Sequence, residues 1–436
     1  MVNQTAYALG SVRSYIREVF EYGRQQAKIV GEENVFDYSL GNPSIPAPEK
    51  VNRSIHEILD TESSIKVHGY TSGPGDDSIR AAVAKNLTER FGKQISPANL
   101  FFTCGAAPAL MAALTALACE DSEVIAIAPF FPEYKPFIES SGNKFVMVPA
   151  DTESFQIDLA ALESLVNEHT QAVIINSPNN PSGVVFSAET LGKVADILGA
   201  AAEKYGHPVY IIADEPYREL VYDGVEVPFI PNIYKDTIVC YSWSKSLSLP
   251  GERIGYVLVA DDVTDSKTVF AAVAGASRML GHVCAPSLIQ RAVAQCCDIM
   301  PDLEAYDVNR NLLYNGLTEI GYKCAKPQGA FYLFVKAPGG DAMAFAEIAK
   351  KKNLLIVPSD SFGVPGYFRL SYCVSKEMIE RSLPAFKEVF FEGLLLASNS
   401  RFRGIPFMPK LLSQQITDFR NPLPVTILPR DTTLSY

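Results

Sequence analysis

The chain has 436 residues and a formal net charge of −11. It is 47% hydrophobic and 20% charged, the balance of a soluble globular enzyme long enough for two lobes. The acidic balance argues against nucleic acid or an anionic membrane surface as partner.

The opening stretch, MVNQTAYALGSVRSYIREVF, lacks a basic segment followed by a long apolar run, so it does not read as a signal peptide. No apolar run approaches the ~20 residues that span a bilayer. The eight cysteines are scattered without a Cys-x-x-Cys pair. They read as reduced, mostly buried thiols, with neither a structural disulfide nor a zinc site, in a cytoplasmic protein. The adjacent pair, Cys296 and Cys297, falls in a stretch that reads as helix.

The first helix is expected in SVRSYIREVFEYGRQQA, where Ile16, Val19, Phe20 and Ala27 recur at roughly helical spacing. A loop rich in Pro and Gly, FDYSLGNPSIPAP, follows. From about residue 76, helices alternate with short apolar strands. The helix DSIRAAVAKNLTERFG leads to the strand LFFTC, and PALMAALTALAC to EVIAIAP. PEYKPFIESSG leads to KFVMVPA, LAALESLVNEH to AVIINSP, and AETLGKVADILGAAAEKYG to VYIIADEP. The strands TIVCYSWS and IGYVLVA complete the series. This pattern predicts an α/β fold: a mostly parallel seven-stranded sheet sandwiched by helices. After about residue 285 long helical stretches surround two strand-like runs, GAFYLFVKAP and YFRLSYCV, which indicates a smaller α+β domain. The expected division is an N-terminal arm with part of the small domain (1–50), a large domain (51–290), a small domain (291–396) and a tail (397–436). The tail has five prolines and a net charge of +3, and reads as extended or disordered.

In open α/β sheets ligands sit beyond the carboxyl ends of the strands. The unusual residues of this chain follow the strand runs. After LFFTC come Gly105, Ala106 and Ala107 at a helix start. Small residues there let backbone N–H groups approach an anion, though they also suit a plain tight turn. After EVIAIA, Phe130 and Phe131 could stack on a flat ring or belong to the core. After AVIIN comes SPNNPSG, with Asn180 in a rigid polar turn built of common turn residues. After VYIIA comes DEPYREL, with Asp214 and Tyr217. An acid leaving an apolar strand needs a cationic or hydrogen-bonding partner, unless it caps a helix. After TIVCY comes SWSKSLSLPGERIGY, with Lys245 among serines and Arg253 downstream. A half-buried lysine can lose its proton and act as an amine nucleophile. A lysine, a strand-end acid, a phosphate-holding helix start, a flat aromatic and an arginine on one sheet edge are what a pyridoxal phosphate site requires. The lysine forms a Schiff base with the aldehyde, and the acid pairs with the pyridinium nitrogen and keeps the ring an electron sink.

The motifs NPSG, ADEPY, SxSKxxxxPGxRxGY and FRLSY, in this order between about Gly41 and Arg369, resemble those of the class I/II (aspartate-aminotransferase-like) aminotransferases of fold type I. The resemblance implies pyridoxal 5'-phosphate as cofactor. It implies Lys245 as the Schiff-base lysine and proton shuttle, and Asp214 as the pyridinium partner. Tyr217 and Asn180 match the groups on the ring hydroxyl. Ser242 and Arg253, with the amides of Gly105, Ala106 and Ala107, match phosphate ligands, and Phe131 matches a ring-stacking aromatic. Arg369 looks like the arginine that forks onto the substrate α-carboxylate, with Gly41 on a loop near that carboxylate. Tyr70 resembles a tyrosine that reaches the phosphate in a partner subunit, which implies a homodimer with shared sites.

The expected activity is ping-pong transamination between an L-amino acid and a 2-oxo acid, with aspartate and glutamate as first choice. An aromatic amino acid is the runner-up, and a carbon–sulfur β-lyase on the same scaffold is the other enzymatic reading. Arg278 lies near where some aspartate transaminases place an arginine for the distal carboxylate, but it reads equally as a helix-end residue. A transcription regulator with an aminotransferase-like domain is opposed by Gly41 arriving almost at once, and by the acidic charge.

Overall fold

In this computed structural model residues 1–11 and 15–401 are described. The strands in chain order are β1 (Phe36–Asp37), β2 (Leu100–Thr103), β3 (Glu123–Ile127), β4 (Lys144–Val148), β5 (Thr170–Asn176), β6 (Tyr210–Asp214), β7 (Thr237–Ser242), β8 (Gly255–Val259), β9 (Lys323–Cys324), β10 (Tyr332–Lys336), β11 (Leu354–Leu355), β12 (Val357–Pro358) and β13 (Tyr367–Ser371). The main sheet has seven strands in the order β2-β8-β7-β6-β5-β3-β4. Its strands run parallel except β8, which is antiparallel to both neighbours. The α/β expectation of a mostly parallel seven-stranded sheet therefore holds.

Helices cover both faces of this sheet, so β6 and β7 are buried along their whole length. That is why their sequences are continuous apolar runs rather than alternating ones. The helices between strands are closed by local chemistry. Ser187 accepts the Thr190 N–H at the start of the helix Ala188–Tyr205, and Gly206 ends it in the left-handed conformation with φ 78°.

The parallel strands β2, β3, β5, β6 and β7 end on one edge. Strand β8 starts there instead, with Gly255 opposite both Ser242 and Thr103. The reversed direction brings Arg253 to the edge where Lys245 and Asp214 already lie.

A second sheet, β12-β13-β10-β9, is antiparallel, and β1 pairs in parallel with β11 beside it. The Ser371 N–H donates to the Tyr38 carbonyl at 2.9 Å, which ties the early chain to this lobe. The core here is aromatic, with the Tyr322 ring against Phe345, Phe368 and Phe386 and Phe345 stacked on Phe368. The helix Tyr15–Val30 packs Val19 against Leu355 of the same lobe.

Two local expectations are corrected. The helix Ser287–Ala294 stops before Cys296 and Cys297, which occupy the turn after it. The final helix, Lys376–Arg401, continues past residue 397, where the tail was expected to begin. The rest of that expected tail, 402–436, lies outside the described residues. Among the described residues no helix is long and apolar enough to cross a membrane.

Candidate active site

Asp214 ends β6 between β5 and β7 and is buried. Burial away from water disfavours its charge and pushes the carboxyl up to about 7. The neighbouring Glu215 adds to the rise, and a hydrogen bond from the Tyr134 hydroxyl to Oδ2 opposes it. The other oxygen, Oδ1, is buried with no hydrogen-bond partner. Asn176 Nδ2 donates to the Asp214 carbonyl at 2.9 Å, and Asn176 Oδ1 accepts the Asn180 N–H at 2.8 Å. One asparagine thus fixes two neighbouring stretches of the site.

Lys245 sits in a one-turn helix, Trp243–Ser246, just after β7. Its Nζ donates to the Gly41 carbonyl at 2.7 Å and stands 5.3 Å from the centre of the Phe331 ring. Loss of water around the ammonium lowers its pKa to about 8; Arg369 and Arg253 add repulsion, against an opposing effect of Cys373. An amine with that pKa is partly neutral near physiological pH.

At the far end, Gly105 heads the helix Ala106–Leu117 with φ 100°, and no side chain caps that terminus. The φ of 100° calls for glycine, and a Cβ there would stand 2.7 Å from Arg253 Nη2 and displace the guanidinium. Pro108 at the third helical position has no N–H to give. The amides of Ala106 and Ala107 are therefore the donors this helix start offers an anion. Ser242 Oγ accepts the Ser244 N–H at 3.0 Å. Arg253, at φ 53°, donates through Nη1 to the Pro250 carbonyl at 3.0 Å.

Arg369 enters from β13 and is 3% exposed. It donates to Asn180 Oδ1 at 3.1 Å and to the Ser39 carbonyl at 2.7 Å, and its guanidinium lies 4.6 Å from the centre of the Tyr332 ring. Its Nε has no partner. The Tyr217 and Tyr332 hydroxyls are 2.9 Å apart. A Cβ on Gly41 would lie 2.0 Å from Tyr332 Oη, which explains a glycine there.

These groups surround one cavity of about 310 Å³. Its wall includes every residue singled out in the sequence except Gly105, Tyr70, Arg278 and Phe130, which belongs to the core of the large sheet. Gly105 lies directly behind the wall against Arg253. Tyr70 is 92% exposed, and Arg278 is exposed at the end of the helix Ser266–Met279. Ile16, Asn176 and Tyr332 also line the cavity and were not picked out as site residues; Tyr134, on Asp214, was missed too. Asn176 carried a usable signal because it ends a strand, and Tyr134 because it closes the PFFPEY stretch that follows one. Tyr332 and Ile16 lie inside a strand and a helix and carried none.

The family model for aminotransferase class I and II matches residues 33–386. The chain belongs to this family. The aminotransferase is 30% identical over 372 residues to an aspartate aminotransferase of Thermotoga maritima, covering 84% of this chain and 94% of that one. It is 29% identical over 400 residues to aromatic-amino-acid aminotransferase 2 of Thermococcus litoralis, covering 88% and 97%. Among solved structures, an aminotransferase of Eubacterium rectale superposes with a TM-score of 0.88 at 55% identity, over 90% of this chain and 99% of that one. The protein is a transaminase.

Proposed function

We propose that this aminotransferase works with pyridoxal 5'-phosphate held in the cavity. The observation that carries the reading is the Asp214 carboxyl, buried with Oδ1 unpartnered, in the same cavity wall as the Lys245 amine. A buried polar atom without a partner costs free energy, and a protonated ring nitrogen would satisfy it. The glycine-headed helix start beside Arg253 suits a phosphate in the same way. When bound, the cofactor supplies an aldehyde that takes up an amine and a ring that draws electrons from the substrate Cα.

In this reading Asp214 holds the ring nitrogen, and Tyr217 and Asn180 hold the ring hydroxyl. Phe131 lies against the ring face. Ser242, Arg253 and the amides of Gly105, Ala106 and Ala107 hold the phosphate. Arg369 takes the substrate α-carboxylate beside Gly41, and its unpartnered Nε is a free donor for it. Lys245 Nζ takes and returns the proton at the substrate Cα, a task suited to a pKa near the working pH.

Aspartate is the proposed donor, in keeping with the name of the Thermotoga relative. An aromatic donor is the second reading, favoured by Ile16 and Leu40 in the cavity wall. We also propose a homodimer. Ile65, Tyr70, Met279 and Val283 are exposed by 88%, 92%, 80% and 69%, large apolar side chains that a second copy would cover. The eight free thiols suit the reducing cytoplasm.

The test is the absorbance spectrum of the purified protein before and after single L-amino acids, beginning with aspartate. A yellow protein that bleaches with a donor and recovers with a 2-oxo acid is expected. Release of pyruvate from a cysteine conjugate without bleaching would favour the lyase. A colourless protein that cannot be reconstituted with pyridoxal phosphate would overturn the cofactor reading.

A further inference from the structure

Behind the cavity, the stretch that starts at Asp214 turns its other side chains inward. Glu215, Arg218 and Glu219 are buried. Arg218 donates through Nε to Glu215, and its guanidinium lies 4.7 Å from the centre of the Tyr241 ring. Arg90 Nη1 donates to Glu219 Oε1 at 2.6 Å. The other Glu219 oxygen accepts the Tyr241 hydroxyl at 3.0 Å, and the same hydroxyl is 2.9 Å from Ser246 Oγ. A carboxylate only accepts, so the Tyr241 proton points to Glu219, and Ser246 donates to Tyr241.

Ser246 is the residue after Lys245, in the same one-turn helix. Two features bear on what holds that turn. Ser248 and Arg253 adopt φ of 52° and 53°, left-handed backbone that a residue with a Cβ keeps only where its surroundings enforce it. In addition, Ser246 and Ser248 form part of the wall of a second cavity of about 460 Å³, across from residues 45–49 and 299–302. The strained backbone follows the turn rather than lying in it, and the cavity beside Ser246 leaves the turn room to shift.

We propose that Tyr241 is a positioning residue for the reaction. Through Ser246 and Glu219 its hydroxyl ties the turn that carries Lys245 to the segment that carries Asp214. It thereby sets where the amine stands relative to the carboxyl. The path is not a proton route, because neither Glu219 nor Arg90 lines the active-site cavity. The inference rests on the roles proposed for Lys245 and Asp214.

Tyr241→Phe tests it. The ring keeps its stack on Tyr256, 5.0 Å between centres, and loses both hydrogen bonds. Ser246→Ala breaks the same tie from the other end. In the holoenzyme, each change should lower kcat about tenfold with KM little altered. Each should also move the midpoint of the pH titration of the bound cofactor's absorbance by ~0.5 unit or more. The double variant should be no worse than Tyr241→Phe alone, because one tie is broken either way. Unchanged midpoints and kcat in Ser246→Ala, or effects that add in full, would overturn the proposal even if Tyr241→Phe fails to fold. A wild-type protein that takes up no pyridoxal phosphate would instead defeat the underlying reading before any variant is compared.

Discussion

Replacing Asp214 with asparagine should make the cofactor-free protein more stable at pH 8. Burial raises this carboxyl from an ordinary 3.8 to about 7. Between those values the unfolded chain has released the proton while the folded chain still holds it. The stability the group contributes is therefore full below pH 3.8, falls as the pH rises, and levels off above about 7. The interval is about 3 pH units, and ~1.4 kcal/mol for each gives a penalty with a ceiling of about 4 kcal/mol at pH 8. Asparagine keeps the shape, can still accept the Tyr134 hydroxyl, and carries no charge to desolvate. The gain should be about 4 kcal/mol at pH 8 and about 2 kcal/mol at pH 5, where less of the penalty has developed. Urea unfolding of both cofactor-free proteins in both buffers measures it. Adding pyridoxal phosphate should reverse the order, because a positive ring nitrogen then stabilises the ionised carboxylate and not the amide. An Asp214→Asn protein with no advantage at pH 8, or the same advantage at both pH values, would refute the reasoning.

Three further outcomes are expected. In the cofactor-free protein, acylation of Lys245 should reach half its maximal rate near pH 8; a midpoint near the ordinary 10.5, followed by mass spectrometry, would remove the burial effect. Gly41→Ala forces a Cβ to within 2.0 Å of Tyr332 Oη, and the ring must yield. Its bond to Tyr217 and its packing on Arg369 go with it, so kcat/KM should fall ~100-fold, and a steady-state value near wild type would contradict the geometry. Arg369→Lys replaces a fork by a point charge, so KM for the amino acid should rise at least ~10-fold while titrated cofactor affinity stays unchanged.

The strand-end residues were legible because each belongs to a short motif with local cause. Asp214 ends an apolar run, Lys245 and Ser242 follow another, and Gly105 precedes a helix. What joins them was not legible. Lys245 meets the Gly41 carbonyl across 204 residues, and Arg369 meets Asn180 across 189. The bond from Tyr134 to Asp214 spans 80. The first two pairings depend on how the two sheets meet and the third on strand order within one sheet, and no periodicity records either. The direction of β8 was hidden as well. IGYVLVA reads like its parallel neighbours, because a strand buried on both faces is apolar whichever way it runs. Cys296 and Cys297 misled for a simpler reason. They extend the apolar pattern of the helix Ser287–Ala294 although the chain there has tightened into a turn, with the Cys296 N–H on the Val293 carbonyl at 3.1 Å.

The order of residues along the chain also sets a timetable. The groups proposed to hold the cofactor, from Gly105 to Arg253, and the whole seven-stranded sheet are complete once Val259 has been made. Arg369 follows Lys245 by 124 residues, 369 minus 245. At a synthesis rate of ~5–20 residues per second, that is a delay of roughly 6–25 s. During it a nascent chain can present the lysine proposed to bind the aldehyde before the arginine proposed to receive the amino acid has been made. Ribosome-bound chains halted far enough past Val259 for Arg253 to clear the exit tunnel would thus be the earliest form able to capture the proposed cofactor, and the order of translation would separate loading the enzyme from letting it work.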